Sequence, residues 1–198
     1  MVKRLTVVLA VGCFCLGAAA SGFAGDTKTL DVRAYVPVVS GGLSVTVSKQ
    51  VPTGGTPIES GASVPIDFGT LQFDSTYKVF RPQYIYFVDI GVNDNTGNAW
   101  TITHGANSVR KDATNNLDNN INVSFVKQLT ATTDQALQKV VYSASNNIAY
   151  SKTQLSGGWL RIYYGIAAGQ NDATGALPIG ADKPAGQYAG SVVITLAP

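Results

Sequence analysis

The sequence predicts an all-β protein built as a sandwich, on three observations. Apolar and polar residues alternate with a period of two in eight or so short stretches. Gly, Pro, Asn and Asp collect between those stretches, where turns need them. No stretch makes a convincing helix, and there is no long internal repeat. A barrel closed on itself is the alternative architecture. At 198 residues the chain fits one domain, or one with a small appendage.

Residues 1–24 read as a cleaved secretion signal. Lys3 and Arg4 form a positive start, residues 5–20 are apolar, and Gly22 and Ala24 flank Phe23 as a small-residue cleavage site. A membrane anchor is the rival reading, but the apolar run is short and lacks a stop-transfer flank. Leu9–Cys13 matches a lipobox only loosely. The mature chain then divides into an N-terminal strand segment, 25–38, and a sandwich domain, 39–198.

Within 29–38, Leu30, Val32, Ala34, Val36 and Val38 alternate with Asp31, Arg33 and Tyr35, as in a half-buried strand. Ser40-Gly41-Gly42 turns the chain, and Leu43, Val45 and Val47 mark a second strand. Residues 52–65, with three prolines and three glycines, predict a loop. A short strand is expected over 67–73, and Phe80-Arg81-Pro82 breaks the pattern. Residues 84–92 are apolar on both faces apart from Asp89 and Gly91, which predicts a central strand. The turn formers 93–98 then lead to a return strand at 100–103, giving an expected hairpin.

Residues 105–120, rich in Asn, predict a long exposed loop. Ile121, Val123 and Phe125 alternate as a strand. Residues 130–141 are ambiguous, with 134–138 able to start a helical turn, and 140–142 and 148–150 read as short edge strands. Leu160, Ile162 and Tyr164 against Arg161, Tyr163 and Gly165 make a clear strand at 159–166, and 169–184 is loop. The chain closes on a further alternation, in which Tyr188, Gly190, Val192, Ile194 and Leu196 share one face.

Composition narrows the function. Hydrophobic residues make up 45 % of the chain and charged residues only 13 %, about half the usual share. Hydroxyl and amide side chains fill the difference, as suits exposed strands of an extracellular protein. Cys13 and Cys15 leave with the signal, so the mature chain forms no disulfide and depends on packing. Lys3 and Arg4 leave too, so twelve basic residues face twelve acidic ones. A neutral chain has no excess charge to hold phosphates, which excludes nucleic acid as the expected partner. Weak long-range repulsion between copies tolerates self-association.

The parts for catalysis are scarce. The mature chain has one histidine, His104, expected on an exposed loop, and no G-x-S-x-G, so no enzyme activity is expected. No zinc site can be assembled. Asp89, Asn93, Asp94 and Asn95, and the run Asp112, Asn115, Asn116, Asp118, Asn119 and Asn120, are rich in oxygen ligands. Neither matches a calcium loop, and Asp and Asn serve turns without a metal, so no cofactor is expected. Trp100, Trp159, Tyr84, Tyr86, Tyr163 and Tyr164 could stack on sugar rings, although the two tryptophans, each opening a strand, are expected to plug the core.

The two ends carry a resemblance. T-L-D-V-R-A-Y-V-P at 29–37, L-S-V-T-V-S at 43–48 and P-A-G-Q-Y-A-G-S-V-V-I-T-L at 184–196 resemble chaperone–usher pilins. They are most similar to the cysteine-free α-class, colonization-factor type major subunits and to spore coat protein U-like secreted proteins. The match covers about a sixth of the chain, at its ends; the middle does not match, the chain is long for such a subunit, and spore coat U-like proteins usually carry cysteines. The resemblance implies an immunoglobulin-like sandwich lacking one strand and completed by donor strand exchange. Residues 29–36 would be the donor, with Leu30, Val32, Ala34 and Val36 as plugs. Tyr188, Val192, Ile194 and Leu196 would line the acceptor groove and pair first with a periplasmic chaperone. The implied partners are further copies of the chain, that chaperone, an outer-membrane usher and a host or matrix glycan, at the cell surface. A self-contained extracellular sandwich that binds carbohydrate or a protein is the alternative, with 29–36 simply its first strand.

Overall fold

A computed structural model describes residues 26–31, 42–93 and 98–198. The secretion-signal reading, Asp94 and Asn95, and the expected plugs Val32, Ala34 and Val36 lie outside the described residues. Twelve strands and one 3₁₀ turn follow one another: β1 (Asp26–Asp31), β2 (Leu43–Gln50), β3 (Glu59–Gly61), β4 (Gln72–Asp74), β5 (Val79–Arg81), β6 (Ile85–Val92), β7 (Thr101–Arg110), β8 (Ile121–Thr130), β9 (Thr133–Val141), the 3₁₀ turn Tyr142–Ala144, β10 (Ile148–Ser151), β11 (Trp159–Ile166) and β12 (Ala189–Ala197).

The fold is all-β and sandwich-like. One sheet has the order β1-β12-β7-β10, the other β3-β2-β6-β11-β8-β9, and β4 and β5 form a separate small hairpin. All strand pairings among the described residues are antiparallel. Alternation decides which side chains are inside. Ile102, Val192, Ile194 and Leu196 from the first sheet meet Val47, Val88, Phe125, Leu160 and Ile162 from the second in one buried cluster. Residues 84–92 form the central strand expected of them: β6 runs between β2 and β11.

Several expectations are corrected. Residues 84–92 and 100–103 form no hairpin, because β6 and β7 belong to different sheets and the chain crosses the sandwich between them. Turn formers fix where a chain reverses; they do not choose its partner. Residues 105–110 are strand, not loop, since β12 continues its ladder along this half of β7, past the point where β10 stops at His104. Residues 134–138 extend along β8 as part of β9. Of 67–73, only the end is strand, and Phe80 lies in β5, where its ring packs on Phe73 with centroids 5.2 Å apart. Within the expected loop 52–65, β3 adds a short rung to β2.

Candidate functional site

β12 is the strand on which the site is built. Its inward residues Val192, Ile194 and Leu196 are 0 %, 0 % and 3 % exposed, and Tyr188 just before it is half-buried against the same core. The face expected from the sequence is therefore the face that is buried. On one side β7 holds β12 over most of its length, with Ile194 opposite His104 and Leu196 opposite Ile102. Tyr142 fastens the same pair, its hydroxyl lying 2.9 Å from the carbonyl oxygens of both Asn107 and Ser191. A bulge near Gly190 brings the two backbones close. A Cβ on Gly190 would lie 2.8 Å from Val109 Cα and 2.9 Å from the Ser108 carbonyl oxygen, so the position takes only glycine without movement.

On its other side β12 is paired by β1. The register sets Leu30 opposite Val192, Lys28 opposite Ile194 and Asp26 opposite Leu196. β1 is the edge of its sheet and pairs with nothing but β12 among the described residues. The other three edges are blunted in ways that hinder further pairing. β3 and β10 have three and four residues, and β9 carries a bulge where Phe125 and Val126 pair with Gln138 and Ala136, leaving Leu137 over.

Beyond the start of β12 lies a cleft of about 720 Å³. Phe68, Leu71, Phe80, Val109, Ile179 and Tyr188 give it apolar walls, and Asp67 and Lys183 are its charged residues. The segment before β12 is held over it by two bonds: Lys111 Nζ donates to the Ala185 carbonyl at 2.7 Å, and Tyr188 hydroxyl donates to that of Pro184 at 2.7 Å. The cleft was not legible in the sequence, because its walls come from stretches far apart along the chain.

His104 corrects the expectation of an exposed loop. It is 1 % exposed in the core. Its Nδ1 donates to the Ser145 carbonyl at 2.8 Å, so Nε2 accepts from the Tyr164 hydroxyl at 2.9 Å. Burial lowers its pKa to about 4, outweighing the Ser145 bond, and burial also raises that of Tyr164. Its two bonds join β7 to β11 and to Ser145, which ends the 3₁₀ turn.

The other candidates separate cleanly. Tyr86 and Tyr164 are buried, and Tyr84 and Trp100 pack half-buried against the core. Trp159 does not plug the core: it lies on the outer face of the larger sheet, where its indole Nε1 donates to Asp89 at 3.0 Å. Tyr163 shares that face. In the Asn-rich run the oxygens serve the backbone. Asp112 accepts from the amides of Thr114 and Asn115, and Asp118 accepts from that of Val109. The Asn115 side chain and these amides hold the Asp112 carboxyl well below its ordinary range. No group of three His, Cys, Asp or Glu among the described residues is arranged to hold a metal. Among them, too, no helix is long and apolar enough to cross a membrane.

Comparison of the chain with protein-family models, with curated proteins and with solved structures yields no match.

Proposed function

We propose that the chain is a secreted structural subunit of a surface fibre. It polymerises head-to-tail by exchange of its N-terminal strand, in an immunoglobulin-like sandwich that a neighbour completes, and the fibre serves adhesion. A periplasmic chaperone and an outer-membrane usher would handle the subunit before assembly.

The observation that carries this reading is the β1–β12 pair. A terminal edge strand that pairs with its own chain can make the same ladder with another copy, which is the logic of domain swapping. β1 has a single partner strand to release. Once it leaves, β12 is the one long regular edge among the described strands, with a fully buried apolar row behind it.

Register adds a second support. In the single chain, Lys28 and Asp26 stand opposite Ile194 and Leu196. A slide of four residues in an incoming strand would set Leu30, Val32 and Ala34 opposite Leu196, Ile194 and Val192, and Val36 and Val38 opposite Gly190 and Tyr188. That pairing is apolar throughout and runs to the cleft beside Tyr188. Each fully buried aliphatic side chain contributes about 1.5–3 kcal/mol, so the exchanged joint outcompetes the internal one.

The test is the assembly state of the mature protein. Ladders on unboiled gels are expected from the mature chain and not from a chain that starts at Leu43. A mature chain that stays monomeric at high concentration overturns the reading.

A further inference from the structure

The outer face of the larger sheet carries a cluster that neither the core nor the β12 edge uses. Trp159, Arg161 and Tyr163 alternate along β11 with the buried Leu160, Ile162 and Tyr164, and so share the outer face. They cover about 13 Å of strand, from the ~3.3 Å rise per residue. β6 sets Phe87 opposite Tyr163 and Asp89 opposite Arg161, and β8 sets Gln128 opposite Trp159.

Asp89 organises the group. Its Oδ1 accepts from Arg161 Nε at 2.7 Å and from Trp159 Nε1 at 3.0 Å, and its Oδ2 accepts from Arg161 Nη2 at 2.8 Å. The guanidinium carbon lies 4.2 Å from the centre of the Phe87 ring, whose centroid is 5.7 Å from that of Tyr163. Phe87 is thereby 6 % exposed although it points away from the core. The Asp89 and Arg161 side chains keep 25 % and 14 % of their surface.

Some bonding capacity is left over. A carboxylate accepts at about four sites, and Asp89 uses three. A guanidinium has about five N–H donors. Arg161 uses two on Asp89 and a third, at 3.4 Å, on the Tyr163 hydroxyl. An acceptor site therefore sits beside two free donors, with an indole to one side and a phenol to the other. Asp89 cancels the charge of Arg161, so the platform does not select an anion. Trp, Tyr and Arg also anchor protein interfaces, but there they reach into a partner's pocket. Here Arg161 is bonded in place and mostly covered, which suits a flat ligand laid upon it.

We propose that Trp159, Tyr163 and the Asp89–Arg161 pair form a binding platform for a neutral pyranose glycan. The sugar's apolar face stacks on the rings, and two adjacent hydroxyls take the free Asp89 acceptor and an Arg161 donor. The site is independent of strand exchange, because it lies on the other sheet.

Lactose, cellobiose and chitobiose are the probes. The chain has two tryptophans. The indole N–H of Trp100 has no hydrogen-bond partner, so Trp100→Phe breaks no such bond and leaves Trp159 as the reporter. Saturable quenching by at least one sugar is expected in that variant. By saturation-transfer NMR, Trp159→Ala and Tyr163→Ala are expected to weaken binding at least about tenfold, which is about 1.4 kcal/mol. Trp159→Phe, which keeps a ring, should retain part of it. Far-UV circular dichroism and the melting transition report whether each variant is folded. No saturable response to any of the three sugars overturns the proposal. So does unchanged affinity in folded Trp159→Ala, or a protein partner that needs Trp159 while no sugar binds.

Discussion

His104 shows how much one side chain depends on where the fold places it. Held neutral in the core, it binds its proton only near pH 4, whereas an unfolded histidine titrates near 6.5. The unfolded state therefore takes up protons first as the solution is acidified. Stability contributed by the neutral ring is complete above about pH 6.5 and is lost progressively towards pH 4. The shift is worth on the order of 3 kcal/mol over that window. Urea midpoints at pH 7 and pH 4.5 should differ markedly in the parent and much less in His104→Gln, which starts less stable because it disturbs the Ser145 and Tyr164 bonds. Equal slopes in both proteins would remove the ring from the account. The buried position was partly legible. Ile102 and His104 have the same parity, so a strand continuing past Thr103 points both inward. Parity likewise puts Trp159 opposite in direction to Leu160 and Ile162, on the outer face. What hid both residues was reading the ends of alternating segments as loop or plug.

At the scale of the element, local preference explains the strands that could be read and the ones that could not. β12 and β11 alternate without interruption, and both were legible to within a residue or two. β9 contains Ala136-Leu137-Gln138, good helix formers, yet it is a strand because β8 supplies its ladder. β7 contains Gly105, Asn107 and Ser108, poor strand formers that lie extended along β12. Gly190 brings the backbones of β12 and β7 close together, and its role could not be seen before the two strands were known to be adjacent. Gly190→Ala should cost about 1–3 kcal/mol by overpacking against Val109 and Ser108. Chemical denaturation checks this, and a loss below about 0.5 kcal/mol would mean that the bulge relaxes freely.

For the whole molecule, the sequence foretold two packed antiparallel sheets but not their membership. Alternation reports which residues face inward; it carries no information on which strand lies beside which, and the change of sheet between β6 and β7 leaves no local mark. The same limit applies to β1: alternation marks a strand there but does not name β12 as its partner. A chain that starts at Leu43 lacks the cover on β12, and it should bind a hydrophobic dye more strongly than a chain that starts at Gly25. A synthetic peptide of residues 26–38 should suppress that signal and raise the melting temperature, with a scrambled peptide doing neither. If the peptide has no effect, the N-terminal segment has no separate affinity for the strand it covers.

The register of β1 also has a geometric result. Asp26 lies across from Leu196, two residues short of Pro198, so the start of β1 and the end of β12 share one corner of their sheet. A tether or tag placed after Pro198 holds the molecule by that corner, on the sheet that carries β1. The flank bearing Trp159 and Arg161 belongs to the other sheet, so such a tether leaves it uncovered.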